Sequence, residues 1–315
     1  MRTGIKREER LRLKTETGTK IRTGPRVIDE LTRAFHLLKS AGGADCHAAG
    51  TDVIWLDCRV LLAAAMGIET SSLRTRPYDR LEAHQLEKFD SYIGRYLEEE
   101  PVSKIIGHRA FWNDDFIVNG QVMDPRQDSE TIIEAIVKDF SGFLETNRGL
   151  RVLELGVGSG CLILTVLRIF GQAQGLGIDI DTGAIAMAER NAKALGIENV
   201  KFILNDWNDG IKEKFDMVLS NPPYVRRRDI DNLEKRVRLY DPKIALDGGE
   251  DGLDCFRRIA ASIRGNLEKN GMLYIEIGQG QCRDVADIFG CGGLKLLRIE
   301  KDLGGIERVL VFGVA

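Results

Sequence analysis

The chain has 315 residues, 43% of them hydrophobic, and a formal net charge of -3. It is long enough to bury one or two cores, and so balanced a charge gives no global attraction to nucleic acid. Its longest apolar stretches, such as Val60 to Met66 and Cys161 to Val166, fall far short of the roughly 20 residues a membrane-spanning helix needs.

In residues 1–25, Lys, Arg, Thr and Glu alternate with few large apolar side chains, the composition expected of a disordered basic tail. Glu8, Glu9 and Glu16 argue against a transit peptide and no apolar core marks a secretory signal, so a cytoplasmic location is expected. Residues 26–104 carry helical spacing: Val27, Ile28, Leu31, Phe35 and Leu38, then Val53-Ile54 and Leu61-Leu62, then Phe89, Ile93, Tyr96 and Leu97. These predict a small helical domain, punctuated by Gly42-Gly43 and Arg76-Pro77. Residues 105–123 read as a β-hairpin linker, because Ala110 to Met123 alternates aromatic and polar residues around Asn113-Asp114 and again around Asn119-Gly120.

Residues 124–315 repeat strand and helix signals and predict an α/β domain with parallel crossovers. Arg151 to Leu155 reads as a buried strand that delivers Gly156-Val157-Gly158-Ser159-Gly160 to an apolar helix, Cys161 to Phe170. The glycine spacing is G-x-G-x-G, not the dinucleotide fingerprint G-x-G-x-x-G, which disfavours a dehydrogenase. A second strand, Gly175 to Ile178, ends in Asp179, about where nucleotide-binding α/β folds present a carboxylate to ribose hydroxyls. Asp179 is also a candidate N-cap for the helix near Thr182, although Asp181 is better placed for that. Val200 to Leu204 leads to Asn205-Asp206-Trp207, a polar pair and an aromatic wall suited to a purine, with ordinary core the competing role for Trp207. Two last strands, Leu294 to Ile299 and Ile306 to Phe312, predict a terminal antiparallel hairpin.

The most informative segment is Asn221-Pro222-Pro223-Tyr224, directly after the apolar run Phe215 to Ser220. Two prolines must stop a strand, since neither donates a ladder hydrogen bond. The Asn221 side-chain carbonyl and the Pro222 backbone carbonyl are both acceptors, which suits a planar NH2 group, with Tyr224 packing on its flat face. Alkylation of a conjugated nitrogen is the chemistry this implies; Asn-Pro is also a common turn starter. Six cysteines lie scattered, with no C-x-x-C pair and no Cys/His cluster, so neither a disulfide framework nor a metal site is expected. Cys161 reads as packing rather than as a nucleophile. His108 and Glu154 are not needed as bases, because the nitrogen becomes acidic only once alkylated. Arg226-Arg227-Arg228 reads first as a solvated loop, and the long segment to Gly252 as a functional flap.

From about Pro101 onward the chain resembles the PrmC/HemK group of protein-(glutamine-N5) methyltransferases. Besides the glycine loop and Asn221 to Tyr224, the resemblance rests on Pro101-Val102-Ser103-Lys104-Ile105-Ile106-Gly107, Phe111-Trp112, Asp124 to Glu130, Ala245 to Gly249 with Asp251-Gly252-Leu253, and Glu276-Ile277-Gly278-Gln279. It implies a seven-stranded class I, Rossmann-like, S-adenosylmethionine-dependent methyltransferase sheet with a small N-terminal helical domain and a β-hairpin linker. It also implies S-adenosylmethionine as cofactor and, as protein substrate, the Gly-Gly-Gln glutamine of peptide-chain release factors, with no stable nucleic-acid partner. Gly156, Val157, Gly158, Ser159 and Gly160 would form the cofactor loop, Asp179 would hold the ribose and Trp207 would flank the adenine. Asn221, Pro222, Pro223 and Tyr224, with Arg126, would bind the substrate, Asn221, Pro222 and Tyr224 being the catalytic residues and Asn221 also touching the cofactor, and the helical module would engage the protein. The family's usual Pro-Arg-Pro-Glu-Thr-Glu reads here Pro125-Arg126-Gln127-Asp128-Ser129-Glu130. Glutamine methylation of a ribosomal protein, amino methylation of adenine or cytosine in nucleic acid, and a non-catalytic adenosylmethionine-binding module remain alternatives.

Overall fold

The computed structural model describes residues 24–41, 50–143 and 149–314. Most of the basic tail and the Gly42-Gly43 pair lie outside the described residues. Two compact units divide between Gly94 and Arg95.

In the first unit the helical spacing becomes α1 (Val27–Ala41), α2 (Thr51–Met66) and α3 (Ala83–Leu97), the last ending just past the division. Val27, Leu31, Ala34 and Leu38 of α1 and Ile54, Cys58, Leu61 and Leu62 of α2 are buried. Each set forms the single apolar stripe that a helix packing on a helix requires. Phe35 and Trp55 meet edge to face at 5.4 Å, and Lys88 Nζ of α3 donates to the Ala64 carbonyl at the end of α2 at 3.3 Å.

The second unit opens with α4 (Val102–Ile106) and the antiparallel hairpin β1 (His108–Phe111) and β2 (Asp114–Ile117). Its turn is Trp112-Asn113, one residue earlier than the Asn113-Asp114 turn read from the sequence. The cause is tertiary: Trp112 packs on the core, and its N–H donates to Glu130 Oε1 at 2.8 Å, holding a bulky residue at φ 55°. Asn119 makes the second turn by accepting from Gln121 N at 2.8 Å, a side-chain mimic of a backbone turn.

The chain then continues through α5 (Glu130–Phe140), β3 (Arg151–Leu155), α6 (Cys161–Ile169), β4 (Gln174–Asp179), α7 (Thr182–Leu195), β5 (Val200–Leu204) and β6 (Phe215–Ser220). It ends with α8 (Lys235–Tyr240), α9 (Asp254–Ala260), β7 (Leu267–Glu276), α10 (Cys282–Cys291), β8 (Leu294–Lys301) and β9 (Glu307–Val314). The seven-stranded sheet has the order β5-β4-β3-β6-β7-β9-β8. From β5 to β7 neighbours run parallel, while β9 is antiparallel to both β7 and β8. The terminal hairpin is present, with β9 inserted between β7 and the edge strand β8.

Burial on both faces explains the unbroken apolar runs of the central strands. Along β9, Val309 and Val311 join the core shared with α5, α6 and α7, whereas Leu310 and Phe312 join the core shared with α9 and α10. Asp181 rather than Asp179 caps α7, accepting from Gly183 N at 2.7 Å and Ala184 N at 3.0 Å. The segment from Arg226 to Gly252 is less irregular than its sequence suggests. It contains short helical turns at Arg227–Asn232 and Lys243–Ala245 on either side of α8, and Val225 bridges Asp247 in parallel. No piece is long enough to show a periodicity.

Candidate active site

Connections leave β3 toward β4 on one side while β6 lies on the other, so a crevice opens at the carboxyl ends of β3 and β6, the switch point where open α/β sheets bind ligands. A cavity of about 440 Å³ sits there, within the range of about 300–1,000 Å³ common for small-molecule sites. Strand ends supply its walls: Gly156 and Gly158 after β3, Asp179 at the tip of β4, Trp207 after β5 and Asn221 after β6.

The glycine loop is pinned from below. Gly156 N and Val157 N both donate to the Ile178 carbonyl at 2.9 Å. Asn191 of α7 donates to the Ser159 carbonyl at 2.8 Å while exchanging bonds with Ile117 of β2, tying hairpin, helix and loop together. Gly158 has φ 52°, and a Cβ there would meet nothing within 4 Å, so its side-chain space belongs to the cavity that it lines. Gly160, at φ 81°, is different: a Cβ would lie 3.1 Å from Leu164 Cδ1 and 3.3 Å from Ala188 Cβ. It turns the chain into α6 and does not line the cavity, whereas Val157 and Ser159 do.

Asp179 lines the cavity with both carboxylate oxygens held, Oδ2 by Gly158 N at 2.9 Å and Oδ1 by Asp181 N at 3.0 Å. Burial pushes its pKa up, and these N–H donors oppose the shift. Each oxygen keeps a free lone pair for a hydroxyl. Trp207 stands at φ 51°, a conformation unusual for a bulky residue. Asn205 maintains it, donating to the carbonyls of Trp207 at 3.3 Å and Asp209 at 2.8 Å, and Asp206 pairs with Arg258 at 2.6 Å. Glu154, also on the wall, is buried and accepts from Ile163 N at 3.0 Å; burial pushes its pKa well above the usual carboxylate range. Burial likewise pushes the Cys161 thiol up to about 12, which leaves it protonated and weakly nucleophilic.

Asn221 and Pro223 line the cavity; Pro222 is buried. Asn221 Nδ2 donates to Ser129 Oγ at 3.1 Å, and Ser129 Oγ donates to Glu276 Oε2 at 2.5 Å. Tyr224, expected to pack on the flat face of the substrate amide, is held by its hydroxyl and its backbone. It is absent from the lining, packs against the α9–α10 core and donates to Glu276 Oε1 at 3.4 Å. Its carbonyl accepts from Gln281 Nε2 at 3.1 Å, so the ring supports the site from beneath. Arg126 lines the rim and pairs with Asp241 of the flap at 2.6 Å. Arg227 pairs with Asp247 at 2.9 Å and Glu250 at 3.1 Å within the flap itself. His108 pairs with Asp115 across the hairpin at 3.0 Å and does not line the cavity.

Ser129 and Glu276 belong to the site although the sequence assigned neither a role. The readable signal was a lone carboxylate ending the apolar run Leu273-Tyr274-Ile275, which must find partners when buried.

Comparison with known proteins agrees with this geometry. A family described as a methyltransferase domain matches residues 146–285, and one described as the PrmC N-terminal domain matches residues 31–107. The release factor glutamine methyltransferase of Rhodospirillum rubrum is 39% identical over 91% of this chain and 87% of its own length. That of Caulobacter vibrioides is 38% identical over 84% of this chain and 90% of its own length. The chain belongs to the release factor glutamine methyltransferase family. Among solved structures, the hMettl16 catalytic domain in complex with the MAT2A 3'UTR hairpin 6 aligns with a TM-score of 0.50 at 13% identity, covering 64% of this chain and 75% of that one; this likeness concerns the fold.

The cofactor of such a methyltransferase is S-adenosylmethionine, and the cavity suits it. Open space over Gly158, a doubly anchored carboxylate with free lone pairs and an indole wall form a cradle for a nucleoside with a charged tail. Among the described residues no helix is long and apolar enough to cross a membrane.

Proposed function

We propose that this chain methylates N5 of the glutamine in the Gly-Gly-Gln motif of peptide-chain release factors, a modification that supports translation termination. The observation that carries the reading is the held amide of Asn221 on the cavity wall, fixed by Ser129 at the tip of a strand that two prolines terminate.

In this reading the glycine loop, Asp179 and Trp207 hold S-adenosylmethionine. When bound it supplies an electrophilic methyl group: a nitrogen–carbon bond forms, and the electron pair of the broken sulfur–carbon bond stays on sulfur. Asn221 Oδ1 and the Pro222 carbonyl accept the two N–H bonds of the glutamine amide. This fixes the plane of the NH2 group and leaves its lone pair for the new bond. A glutamate carboxylate would face two acceptors without a donor, so glutamine is selected. The methylated nitrogen is acidic and passes its extra proton to water, so neither His108 nor Glu154 is required as base. Tyr224 acts by bracing Asn221 through Glu276, and Arg126 at the rim meets the incoming protein. Residues 26–104 recognise that protein, residues 105–123 link, and residues 124–315 perform catalysis.

The test is transfer of labelled methyl from S-adenosylmethionine to a bacterial release factor and to its Gly-Gly-Gln variant with the glutamine changed to alanine, beside ribosomal protein and DNA. Label on the first protein alone supports the reading. Label on ribosomal protein or DNA instead would replace the substrate, and cofactor binding without transfer would point to a binding module.

A further inference from the structure

An asparagine side chain offers an acceptor from one end and two donors from the other, and the roles assigned to Asn221 require that the acceptor face the substrate. Its orientation follows from the next two groups. The Ser129 hydroxyl has one hydrogen, and it is spent on Glu276 Oε2 at 2.5 Å. The Ser129 oxygen can then only accept, so the Asn221 atom 3.1 Å away must be the NH2 group. Its Oδ1 is thereby turned the other way. Ser129 is 3% and Glu276 1% exposed, so water does not compete for either bond.

We propose that Ser129 and Glu276 are positioning residues that set the polarity of the Asn221 amide, making the cavity wall an acceptor that selects a substrate NH2. The inference rests on the glutamine-methylating reading and deepens it.

The chain of bonds also has a direction that protonation can reverse. With Glu276 ionised, the sequence of donors runs from Asn221 through Ser129 to the carboxylate. A protonated Glu276 becomes a donor to Ser129 Oγ, whose hydrogen is released to meet Asn221 Oδ1, and the flipped amide presents NH2 to an incoming NH2. The groups facing Glu276 are Arg308 from β9, Asp128 beside Ser129, Tyr224 beyond the β6 tip, and Cys161 from α6. Arg308 stays charged, and burial raises the Tyr224 and Cys161 pKa values. Burial raises Glu276 itself to about 7, with Ser129 and Arg308 opposing the shift, so the reversal falls in the working range of pH.

The experiment uses the full chain, S-adenosylmethionine and a bacterial release factor, with kcat, KM and cofactor Kd measured for wild type, Ser129→Ala, Ser129→Thr and Glu276→Gln across pH values around about 7. Ser129→Ala should lower kcat roughly 10- to 100-fold with cofactor Kd within about two-fold, and Ser129→Thr should restore it. Wild-type kcat should rise with pH through about 7, and Glu276→Gln should lack that limb. Wild-type kcat in Ser129→Ala, no recovery in Ser129→Thr, or a retained limb in Glu276→Gln would each overturn the proposal while leaving the glutamine-methylating reading intact. If Ser129→Ala does not bind cofactor, the Glu276→Gln profile decides. A wild-type chain that does not methylate the release factor overturns both.

Discussion

Two glycines in one loop allow structure and binding to be separated by the same substitution. Gly158 and Gly160 both occupy left-handed backbone, at φ 52° and 81°, so alanine at either costs about 1–2 kcal/mol of backbone strain. At Gly158 that is the whole cost to the fold, because a Cβ meets nothing within 4 Å; for a unit of this size it corresponds to roughly 2–8 °C in Tm. At Gly160 the Cβ also presses on Leu164 Cδ1 at 3.1 Å and on the α7 residue Ala188, with Cβ at 3.3 Å and Cα at 3.4 Å. Overpacking against a helix backbone adds about 1–3 kcal/mol, for a total near 2–5 kcal/mol. Calorimetry with the free enzyme should therefore show Gly160→Ala losing considerably more stability than Gly158→Ala. Titration with S-adenosylmethionine should show the reverse order for affinity, with Gly158→Ala weakened at least about ten-fold, since its methyl enters the cavity wall. A Gly158→Ala variant that binds S-adenosylmethionine as wild type does would refute the assignment of this loop as the cofactor cradle.

Further outcomes follow from the same geometry. Asp179→Ala should raise the S-adenosylmethionine Kd by roughly 10- to 100-fold, as charge-assisted bonds to two hydroxyls are lost, with isothermal titration as the readout. Asn221→Ala should lower kcat by about 100-fold or more and change cofactor affinity little; equal losses in both would contradict its role. Lys104 is buried and faces Asp124 at 3.0 Å and Asp241 at 3.5 Å; Asp241 keeps Arg126 at 2.6 Å, so Lys104→Ala leaves Asp124 buried without a cation and should cost about 3–5 kcal/mol in denaturant unfolding. Glu276 rises from its ordinary 4.5 to about 7 on folding. Its contribution is fully present below 4.5 and is lost as pH rises through about 7, so wild type should lose about 3 kcal/mol relative to Glu276→Gln over that interval.

The elements that carry the site were legible because they are local. Strands β5 and β6 begin and end where their apolar runs do, and Pro222-Pro223 stop β6 as proline chemistry requires. Asp181 capping α7 was likewise decided by residues within one turn. Long-range geometry was not legible. The insertion of β9 between β7 and β8 depends on sheet pairing that no short window contains. Trp112 in the hairpin turn is held by Glu130, 18 residues away, and the Ser129–Glu276 contact spans 147 residues. The contact of Tyr224 with Glu276, 52 residues away, was likewise outside any short window, since position in sequence fixes its place at a strand tip but not which way its ring turns.

The most direct test of the central claim is to locate the methyl group. Wild-type enzyme, S-adenosylmethionine and a bacterial release factor are incubated, and the digested product is fragmented by mass spectrometry. The account predicts one added methyl on the side-chain nitrogen of the Gly-Gly-Gln glutamine and an unmodified product with Asn221→Ala. A methyl on another residue, or an unmodified glutamine with the wild-type enzyme, would contradict it.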